Sequence, residues 1–175
     1  MEDSVIEYID LYDKRRLPTS LTHKRGDKLP EGLRYLVVRV WVVNSGGNFL
    51  ITRRAFCKSW KPGAWECPGG SALAGEDSLT AALRETAEET GIVLGAANAE
   101  LFCSYLGEEH FVDHWLFRQD FSIGDIKLDP RETIDARVTS WAEVAKMRKS
   151  GEFINNHLLD FDPFSYLKSE FGESN

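Results

Sequence analysis

The stretch that decides the fold runs from Gly70 to Ile92 and reads GSALAGEDSLTAALRETAEETGI. From Asp77 to Thr90, apolar or small residues recur at helical spacing: Leu79, Ala82, Leu83, Thr86 and Thr90. This periodicity predicts a helix that packs one face inward. Gly91 stands where a left-handed C-cap residue would end such a helix.

Three glutamates of this predicted helix, Glu85, Glu88 and Glu89, have the spacing i, i+3, i+4. We expect them on the side opposite the apolar face, close to one another, where like charges repel unless a cation compensates them. Oxygen ligands without paired His or Cys favour Mg²⁺ or Mn²⁺ over Zn²⁺. An isolated run of glutamates is more often a solvated helix face, so the surrounding residues decide between the two interpretations.

The surrounding residues favour the metal site. Seven positions fit the spacing G-x5-E-x7-R-E-U-x-E-E-x-G-U, in which U is a bulky aliphatic residue: Gly70, Glu76, Arg84, Glu85, Glu88, Glu89 and Gly91. A chance match has a probability on the order of 10⁻⁸ per starting position, given average residue usage. The stretch resembles the signature box of the Nudix hydrolases. Thr86 stands at the first U position, where the pattern has a bulky aliphatic residue. This departure concerns how the helix packs and not the chemistry of the box.

The resemblance implies an α/β fold of the Nudix type, an α/β/α sandwich with a mixed β-sheet between helices. It also implies hydrolysis of a nucleoside diphosphate linked to another moiety. Four groups would hold Mg²⁺, or Mn²⁺ in its place: the carbonyl of Gly69 and the carboxylates of Glu85, Glu88 and Glu89. Glu85 and Glu89 are candidate catalytic residues together with Arg84, whose guanidinium would hold Glu76 and orient the metal-binding carboxylates.

A further glutamate outside the box often serves Nudix enzymes as a base or an extra ligand. Glu132 lies six residues before Val138, a residue of a predicted strand, and is our candidate for this catalytic role. Glu108 and Glu109, at a predicted hairpin tip, are alternatives. A loop glutamate is also commonly just solvated, so the sequence leaves the identity of the base open.

The residues before the box resemble the isopentenyl-diphosphate isomerase-like branch of the same superfamily. The resemblance rests on LITRRAFCK at 50–58 and PGAW at 62–65, and it spans roughly residues 5 to 145. In the isomerases, the residues matching Arg54 and Lys58 approach the substrate diphosphate. Both are therefore candidate substrate contacts, since cations beside a metal site can share the diphosphate charge. Ordinary exposed charges would give the same pattern.

The isomerase chemistry does not carry over. True isomerases place a catalytic cysteine immediately before the first box glycine, where this chain has Gly69, and Cys67 lies two residues earlier. Ser71 follows the glycine where the isomerases have a histidine, whereas the hydrolase-type pair Arg84 and Glu85 is intact. We predict a Mg²⁺-dependent pyrophosphohydrolase that uses water as nucleophile. The alternatives are isopentenyl-diphosphate isomerase-like activity and a catalytically silent nucleotide-binding module.

Length and charge are those of a small enzyme. The 175 residues, 42% of them hydrophobic, predict one domain: an N-terminal strand and arm over 1–34, a catalytic core over 35–150 and a C-terminal helical segment over 151–175. A net charge of −7 argues against a nucleic-acid polymer as partner and leaves a small-molecule nucleoside diphosphate derivative. The start MEDSVIEYIDLYDKRR lacks signal-peptide features, so we expect a cytoplasmic protein without membrane contact. Whether it forms a homodimer is left open.

Short strands alternate with few helices along the rest of the chain. Leu36–Val43 is nearly continuously apolar, which predicts a central strand buried on both faces. We further predict a strand at 5–10 and a charged turn-rich arm at 13–32. One hairpin leads into 49–52, and a second is formed by 101–106 and 111–117. A helix should run from the cap Ser140 to about 149, followed by a terminal helical segment from 153 that is interrupted near Pro163.

Neither the cysteines nor the aromatic residues identify the substrate. Three cysteines, an odd number without paired metal spacing, predict buried or semi-buried free thiols: Cys57, Cys67 and Cys103. Four rings could stack on a nucleobase or equally belong to the core: Phe56, Trp60, Tyr105 and His114.

Overall fold

A computed structural model describes residues 6–154 and 163–172. Its strands are β1 (Tyr8–Tyr12), β2 (Pro18–Lys24), β3 (Tyr35–Val43), β4 (Phe49–Arg54), β5 (Trp65–Glu66), β6 (Gly69–Ser71), β7 (Ala99–Leu106), β8 (His110–Arg118) and β9 (Thr133–Thr139). Its helices are α1 (Ser78–Thr90), α2 (Trp141–Ser150) and α3 (Pro163–Phe171). In the described part of the chain, no helix is long and apolar enough to cross a membrane.

A mixed seven-stranded sheet forms the centre of the fold. Its main path is β5-β4-β3-β8-β7, while β6 also pairs with β3 and β9 with β4. β3 and β8 run parallel along their full length, and the other pairs are antiparallel. Because β4 leaves β3 after the single pair Val43↔Phe49, the far end of β3 is free to pair with β6. This divergence opens the sheet next to the Gly69–Ser71 turn.

Helices cover both faces of this sheet. On one face, α1 packs Ala81 and Ala82 against Val38 and Val40 of β3. On the other face, Trp41 of β3 is surrounded by rings from β4, α2, α3 and the segment after α2: Phe49, Trp141, Phe164 and Phe153. β3 therefore contributes to both cores, as its continuous apolar sequence predicts. The predicted α/β/α sandwich with a mixed sheet between helices is confirmed.

Most predicted elements are present, with shifted ends. Both hairpins form, and the central strand and the helix capped by Ser140 lie as expected, with the Glu143 N–H donating to the Ser140 hydroxyl at 3.3 Å. The description of 13–32 as a turn-rich arm was wrong, because β2 forms there and pairs with β1. Its residues are mostly exposed, so no apolar alternation marked it as a strand. The short strands β5 and β6 were not predicted.

The C-terminal prediction is only partly testable. α3 is described from Pro163 to Phe171, and the interruption predicted near Pro163 depends on the preceding residues, which lie outside the described part of the chain. The expected helix over 155–162 and the first residue of the strand predicted at 5–10 lie outside the described residues.

The N-terminal hairpin is fastened to the sheet by a buried ion pair. Asp113 of β8 is completely buried, and Arg16 donates to both of its oxygens at 2.7 and 2.5 Å. The hydroxyls of Ser104 and Ser78 donate to the same carboxylate. Burial alone would raise the pKa of Asp113, but these hydrogen bonds lower it below the ordinary value. The carboxylate is therefore ionised and depends on Arg16 for compensation.

Substituting Arg16 with alanine should destabilise the protein by about 2–3 kcal/mol, because it leaves a buried carboxylate without its cation. The free energy of unfolding in urea measures the effect. Arg15→Ala is the matched control, since Arg15 is the neighbouring exposed arginine. Equal stability of the two variants would show that the ion pair does not fasten the arm.

Candidate active site

Helix α1 supplies most of the candidate site, and its ends are fixed by local sequence. Asp77 caps the start by accepting a hydrogen bond from the Thr80 N–H at 2.7 Å. Gly91 ends the helix in the left-handed conformation with φ 73°, as predicted. Thr86 is fully buried, and its hydroxyl donates to the Ala82 carbonyl at 2.9 Å. This internal bond satisfies the hydroxyl, which explains why a threonine is tolerated at an aliphatic position.

The three glutamates differ in their exposure to solvent. Glu85 and Glu89 are each only 7% exposed, whereas the Glu88 side chain is 60% exposed. The sheet opening beside β6 lets α1 turn Glu85 and Glu89 toward the turn at Gly69 and Gly70. The helix thus buries charge as well as apolar surface at one end.

The two glycines of this turn are required by close contacts. A Cβ on Gly70 would lie 2.3 Å from a carboxylate oxygen of Glu85. Gly69 has φ 155°, and a Cβ there would lie 2.2 Å from the Val38 carbonyl oxygen. Its N–H donates to the Glu89 carboxylate at 3.3 Å. Any larger residue at Gly70 would therefore displace the carboxylate that this turn is shaped to receive.

The buried carboxylates carry excess negative charge. Burial is the main cause that raises the pKa of Glu89 well above its ordinary value, and the nearby carboxylates of Glu66 and Glu85 raise it further. Burial also raises the pKa of Glu85, although Arg84 opposes the shift. A buried carboxyl group with a raised pKa keeps its proton unless a nearby cation stabilises the ionised form. A divalent cation is the compensation that such a group of oxygens would accept.

Arg84 donates hydrogen bonds to three glutamates of the candidate site. It donates to both oxygens of Glu76 at 2.7 and 2.9 Å, and to Glu85 at 3.0 Å and Glu88 at 2.9 Å. A further bond reaches the Ser71 carbonyl at 3.0 Å. Although burial alone would raise the pKa of Glu76, its hydrogen bond with Arg84 lowers it. One guanidinium therefore joins the helix, the loop before it and the turn of β6.

The donors fit a hard divalent cation in chemical type. In residues 6–154 and 163–172, no three acidic, histidine or cysteine side chains converge closely enough to hold a metal ion. Glu88 instead accepts a hydrogen bond from Arg84. The observation that favours the fit is the burial of Glu85 and Glu89 beside two glycines, with raised pKa values for both carboxyl groups although Arg84 pairs with Glu85. The ligand set Gly69, Glu85, Glu88 and Glu89 therefore remains a prediction.

The candidate substrate residues are present but already have partners. Lys58 forms an ion pair with Glu132, the candidate base, whose side chain is 46% exposed. Arg54 donates to Glu66 at 2.7 Å and to the Trp60 carbonyl at 3.0 Å. The structure thus brings Lys58 together with Glu132, and Arg54 together with the buried carboxylate of Glu66. Their roles in binding and catalysis remain predictions.

Sequence reasoning missed Glu66 and Arg39. Glu66 is only 4% exposed, and Arg39 donates to its Oε2 at 2.9 Å while Arg54 donates to its Oε1. Glu66 lies outside the signature box, in a two-residue strand. A charged residue between Trp65 and Cys67, both buried, was the available signal. A lone glutamate in an apolar stretch is rarely buried unless it is paired.

Only two of the three cysteines are buried. Cys57 is exposed, which corrects the expectation for that residue; it lies in the loop after β4, outside the sheet. Cys67 and Cys103 are buried as predicted. Burial raises the pKa of the Cys67 thiol to about 12, so the group is neutral and a poor nucleophile.

Comparison with known proteins places the chain in a family. The NUDIX domain model matches residues 33–160. An uncharacterized Nudix hydrolase of Listeria monocytogenes is 37% identical over 171 residues, covering 97% of this chain and 96% of the relative. The chain belongs to the Nudix hydrolase family, as the box predicted. It is therefore an enzyme of the hydrolase class that acts on acid anhydrides in phosphorus-containing compounds.

Two further comparisons concern the fold and the isomerase branch. The crystal structure of DR0079 from Deinococcus radiodurans superposes with a TM-score of 0.71 at 22% identity, covering 93% of this chain and 98% of that one. An isopentenyl-diphosphate Δ-isomerase of Shigella flexneri is 31% identical over 87 residues, 49% of this chain and 48% of the isomerase. The second similarity covers only half of each chain.

Proposed function

We propose that the protein is a Mg²⁺-dependent pyrophosphohydrolase that cleaves the diphosphate of a nucleoside diphosphate derivative by attack of water at phosphorus. Mn²⁺ would serve in place of Mg²⁺. The nucleoside part of the proposal follows from the resemblance of the box to Nudix hydrolases, and the metal-dependent part follows from the site itself.

The observation that carries the proposal is the burial of Glu85 and Glu89 against a glycine turn, with raised pKa values and Glu66 nearby. Burying three carboxylates near one another destabilises the folded protein unless a cation binds there during function and compensates their charge. A structural ion-pair network would balance its charges internally. Here Arg39 and Arg54 serve Glu66, while Glu89 accepts, among the described contacts, a single backbone bond of 3.3 Å.

Each residue then has a distinct role. Glu85, Glu88, Glu89 and the Gly69 carbonyl would hold the cation, which would neutralise diphosphate charge and acidify the attacking water. Arg84 would keep the carboxylates in position through its bonds to Glu76 and Glu85. Lys58 and Arg54 would bind the diphosphate, and Glu132 would accept the proton of the water once Lys58 turns to the substrate.

The test is a substrate screen. Purified protein with Mg²⁺ is incubated with nucleotide sugars, nucleoside di- and triphosphates, capped nucleotides and dinucleotides, and the nucleotide products are separated and quantified by chromatography. The proposal requires that at least one of these compounds is cleaved between phosphorus atoms. Absence of cleavage across the panel, from a protein shown to be folded, would refute it.

Under the isomerase alternative, the Cys67 thiol would have to take part in catalysis. An isomerase needs a proton donor beside an alkene, and a displaced thiol could serve through a shifted loop only if it ionised readily. The thiol here is buried and its pKa is raised to about 12. Cys67 instead packs with Trp65 and Trp41 in the core.

Cys67→Ala should therefore keep kcat within a few-fold of the wild type and reduce stability by about 1 kcal/mol, a typical value for a modest core change. Formation of the nucleoside monophosphate product and thermal unfolding of both proteins measure the two effects. Cys103→Ala is the matched control, because Cys103 is also a buried cysteine. Loss of all turnover in folded Cys67→Ala, together with interconversion of isoprenoid diphosphates by the wild type, would establish the isomerase instead.

A further inference from the structure

The N-terminal hairpin of β1 and β2 lies against the loop that precedes α1. The Tyr8 carbonyl accepts a hydrogen bond from the Ala74 N–H at 2.8 Å, and the Asp10 carboxylate accepts one from the Gly75 N–H at 2.7 Å. Glu76, the next residue of this loop, belongs to the candidate site through its ion pair with the site arginine. The hairpin is thus fixed beside the site, although the reaction described above gives it no part.

Arg25 lies at the end of the hairpin that contacts this loop. Its neighbour Lys24, the last residue of β2, pairs with Tyr8 of β1. The backbone N–H of Arg25 donates to the Glu7 carbonyl at 2.9 Å. The backbone of Arg25 is therefore held within one residue of the contact between Tyr8 and Ala74.

The side chain of Arg25 has one partner and can exchange it. Its Nη1 forms an ion pair with Glu7, and the two side chains are 42% and 37% exposed. Among the residues that the structure describes, this carboxylate is the one side-chain acceptor bonded to Arg25. A guanidinium has several further N–H donors. Because an exposed ion pair contributes little to stability, Arg25 can turn from Glu7 to a more highly charged anion.

Carboxylates of the candidate site act on this guanidinium. Burial lowers the pKa of Arg25, but its hydrogen bond with Glu7 and the charges of Glu7, Glu85 and Glu132 raise it above the ordinary value. In return, Arg25 and more strongly Arg84 oppose the rise that burial causes in the pKa of Glu85. The predicted metal ligand Glu85 and the candidate base Glu132 are therefore both near enough to Arg25 to interact with its charge.

Arg25 reaches the site from a different part of the chain than the other candidate cations. Arg54 and Lys58 come from the end of β4 and the loop that follows it, where they pair with Glu66 and Glu132. Cations from two separate segments can hold the oxygens of a diphosphate from two directions. Arginine suits this task because its planar fork of donors matches the oxygens of a phosphate group.

We propose that Arg25 is a substrate-binding residue: its guanidinium turns from Glu7 to the substrate and donates to phosphate oxygens on the side of the site that faces the N-terminal hairpin. Glu7 holds the side chain while the site has no substrate. The hairpin thereby contributes a cation to the active site. This inference rests on the proposed function, because it adds a contact to the same diphosphate.

The test measures binding of methylenediphosphonate, a diphosphate analogue whose bridging carbon prevents hydrolysis. The analogue is titrated calorimetrically, with Mg²⁺ present, into the wild type and its variants. We expect Arg25→Ala to bind at least about tenfold more weakly, because charge-assisted hydrogen bonds are lost. Arg25→Lys keeps the charge without the fork and should recover part of the affinity. Lys28→Ala, which removes an exposed cation from the same arm, is the matched control and should bind like the wild type.

Glu7→Gln separates substrate binding from a purely structural role of the ion pair. It breaks the same pair from the other side, so a hairpin that only needed this pair would be impaired equally by Glu7→Gln and Arg25→Ala. We expect Glu7→Gln to bind the analogue at least as tightly as the wild type, since it releases Arg25 to the phosphate. If Arg25→Ala does not fold, Arg25→Gln replaces it, because its amide can still donate to Glu7.

The outcomes separate this inference from the proposed function, since binding of the analogue needs no turnover. The role of Arg25 would be overturned by a wild type that does not bind the analogue, by equal affinity of Arg25→Ala and the wild type, or by equal losses in Arg25→Ala and Glu7→Gln. Cleavage in the substrate screen with any of these results would leave the pyrophosphohydrolase intact. Arg25-dependent binding without cleavage of any compound would support the role of Arg25 and refute the reaction.

Discussion

Removal of divalent cations should abolish turnover of the best diphosphate substrate, and added Mg²⁺ or Mn²⁺ should restore it. The physical reason is charge: Glu66, Glu85 and Glu89 are buried together, and a diphosphate would add further negative charge to the same place. Arg84 cannot also compensate Glu89 and the diphosphate. Its N–H groups are already bonded to Glu76, Glu85, Glu88 and the Ser71 carbonyl.

The measurement is formation of the nucleoside monophosphate product after dialysis against EDTA, before and after addition of each metal chloride. Circular dichroism in EDTA controls for unfolding, since loss of structure would also stop turnover. Mg²⁺ should raise the unfolding temperature of the metal-free protein, by an amount equivalent to about 2.7 kcal/mol at a hundred times its dissociation constant. Undiminished turnover in metal-free buffer would contradict the mechanism.

The helix and the central strand could be predicted from the sequence because local patterns determine them. The periodic apolar residues predicted α1. Asp77 caps its start because the carboxylate accepts a backbone N–H, and Gly91 ends it because glycine readily adopts a positive φ. The continuous apolar run of β3 correctly indicated burial on both faces. These features depend on neighbours in the chain, so a single sequence contains the information.

The burial of the site could not be predicted in the same way. Helical spacing placed Glu85 and Glu89 together but did not indicate that they are buried, since charged residues normally face solvent. Their burial depends on the divergence of β3 from β4, a long-range property of the sheet. Glu66 was missed for the same reason: only the fold brings Arg39 and Arg54 to it. Contacts between distant segments leave no local pattern.

The arm shows the opposite error. Its charged and polar composition suggested turns, yet β2 pairs with β1 and Arg16 reaches Asp113, 97 residues away. The arginine was one of many in a basic stretch, and the buried aspartate was one polar residue in an apolar strand. Neither residue alone predicts the pair, although a buried aspartate always requires a partner.

Glu89→Gln should lower kcat about a hundredfold or more while the protein remains folded. Glutamine keeps the volume and can still accept the Gly69 N–H, but it removes the charge that would bind the cation in the transition state, an effect of several kcal/mol. Formation of the nucleoside monophosphate product at saturating Mg²⁺ measures kcat. Glu143→Gln, the same change at an exposed position on α2, is the matched control and should retain full activity.

The same substitution should make the metal-free protein more stable at neutral pH. Burial raises the pKa of Glu89 well above its unfolded value, so between those two values the folded state binds more protons than the unfolded state. Stability of the metal-free wild type therefore falls as pH rises through that window, from about pH 5 upward. Glutamine does not titrate, so the advantage of Glu89→Gln should grow with pH and shrink when Mg²⁺ is added to the wild type. Thermal unfolding in EDTA across this range measures the difference. A variant that is less stable at every pH, or one with near-normal kcat, would remove Glu89 from the metal site.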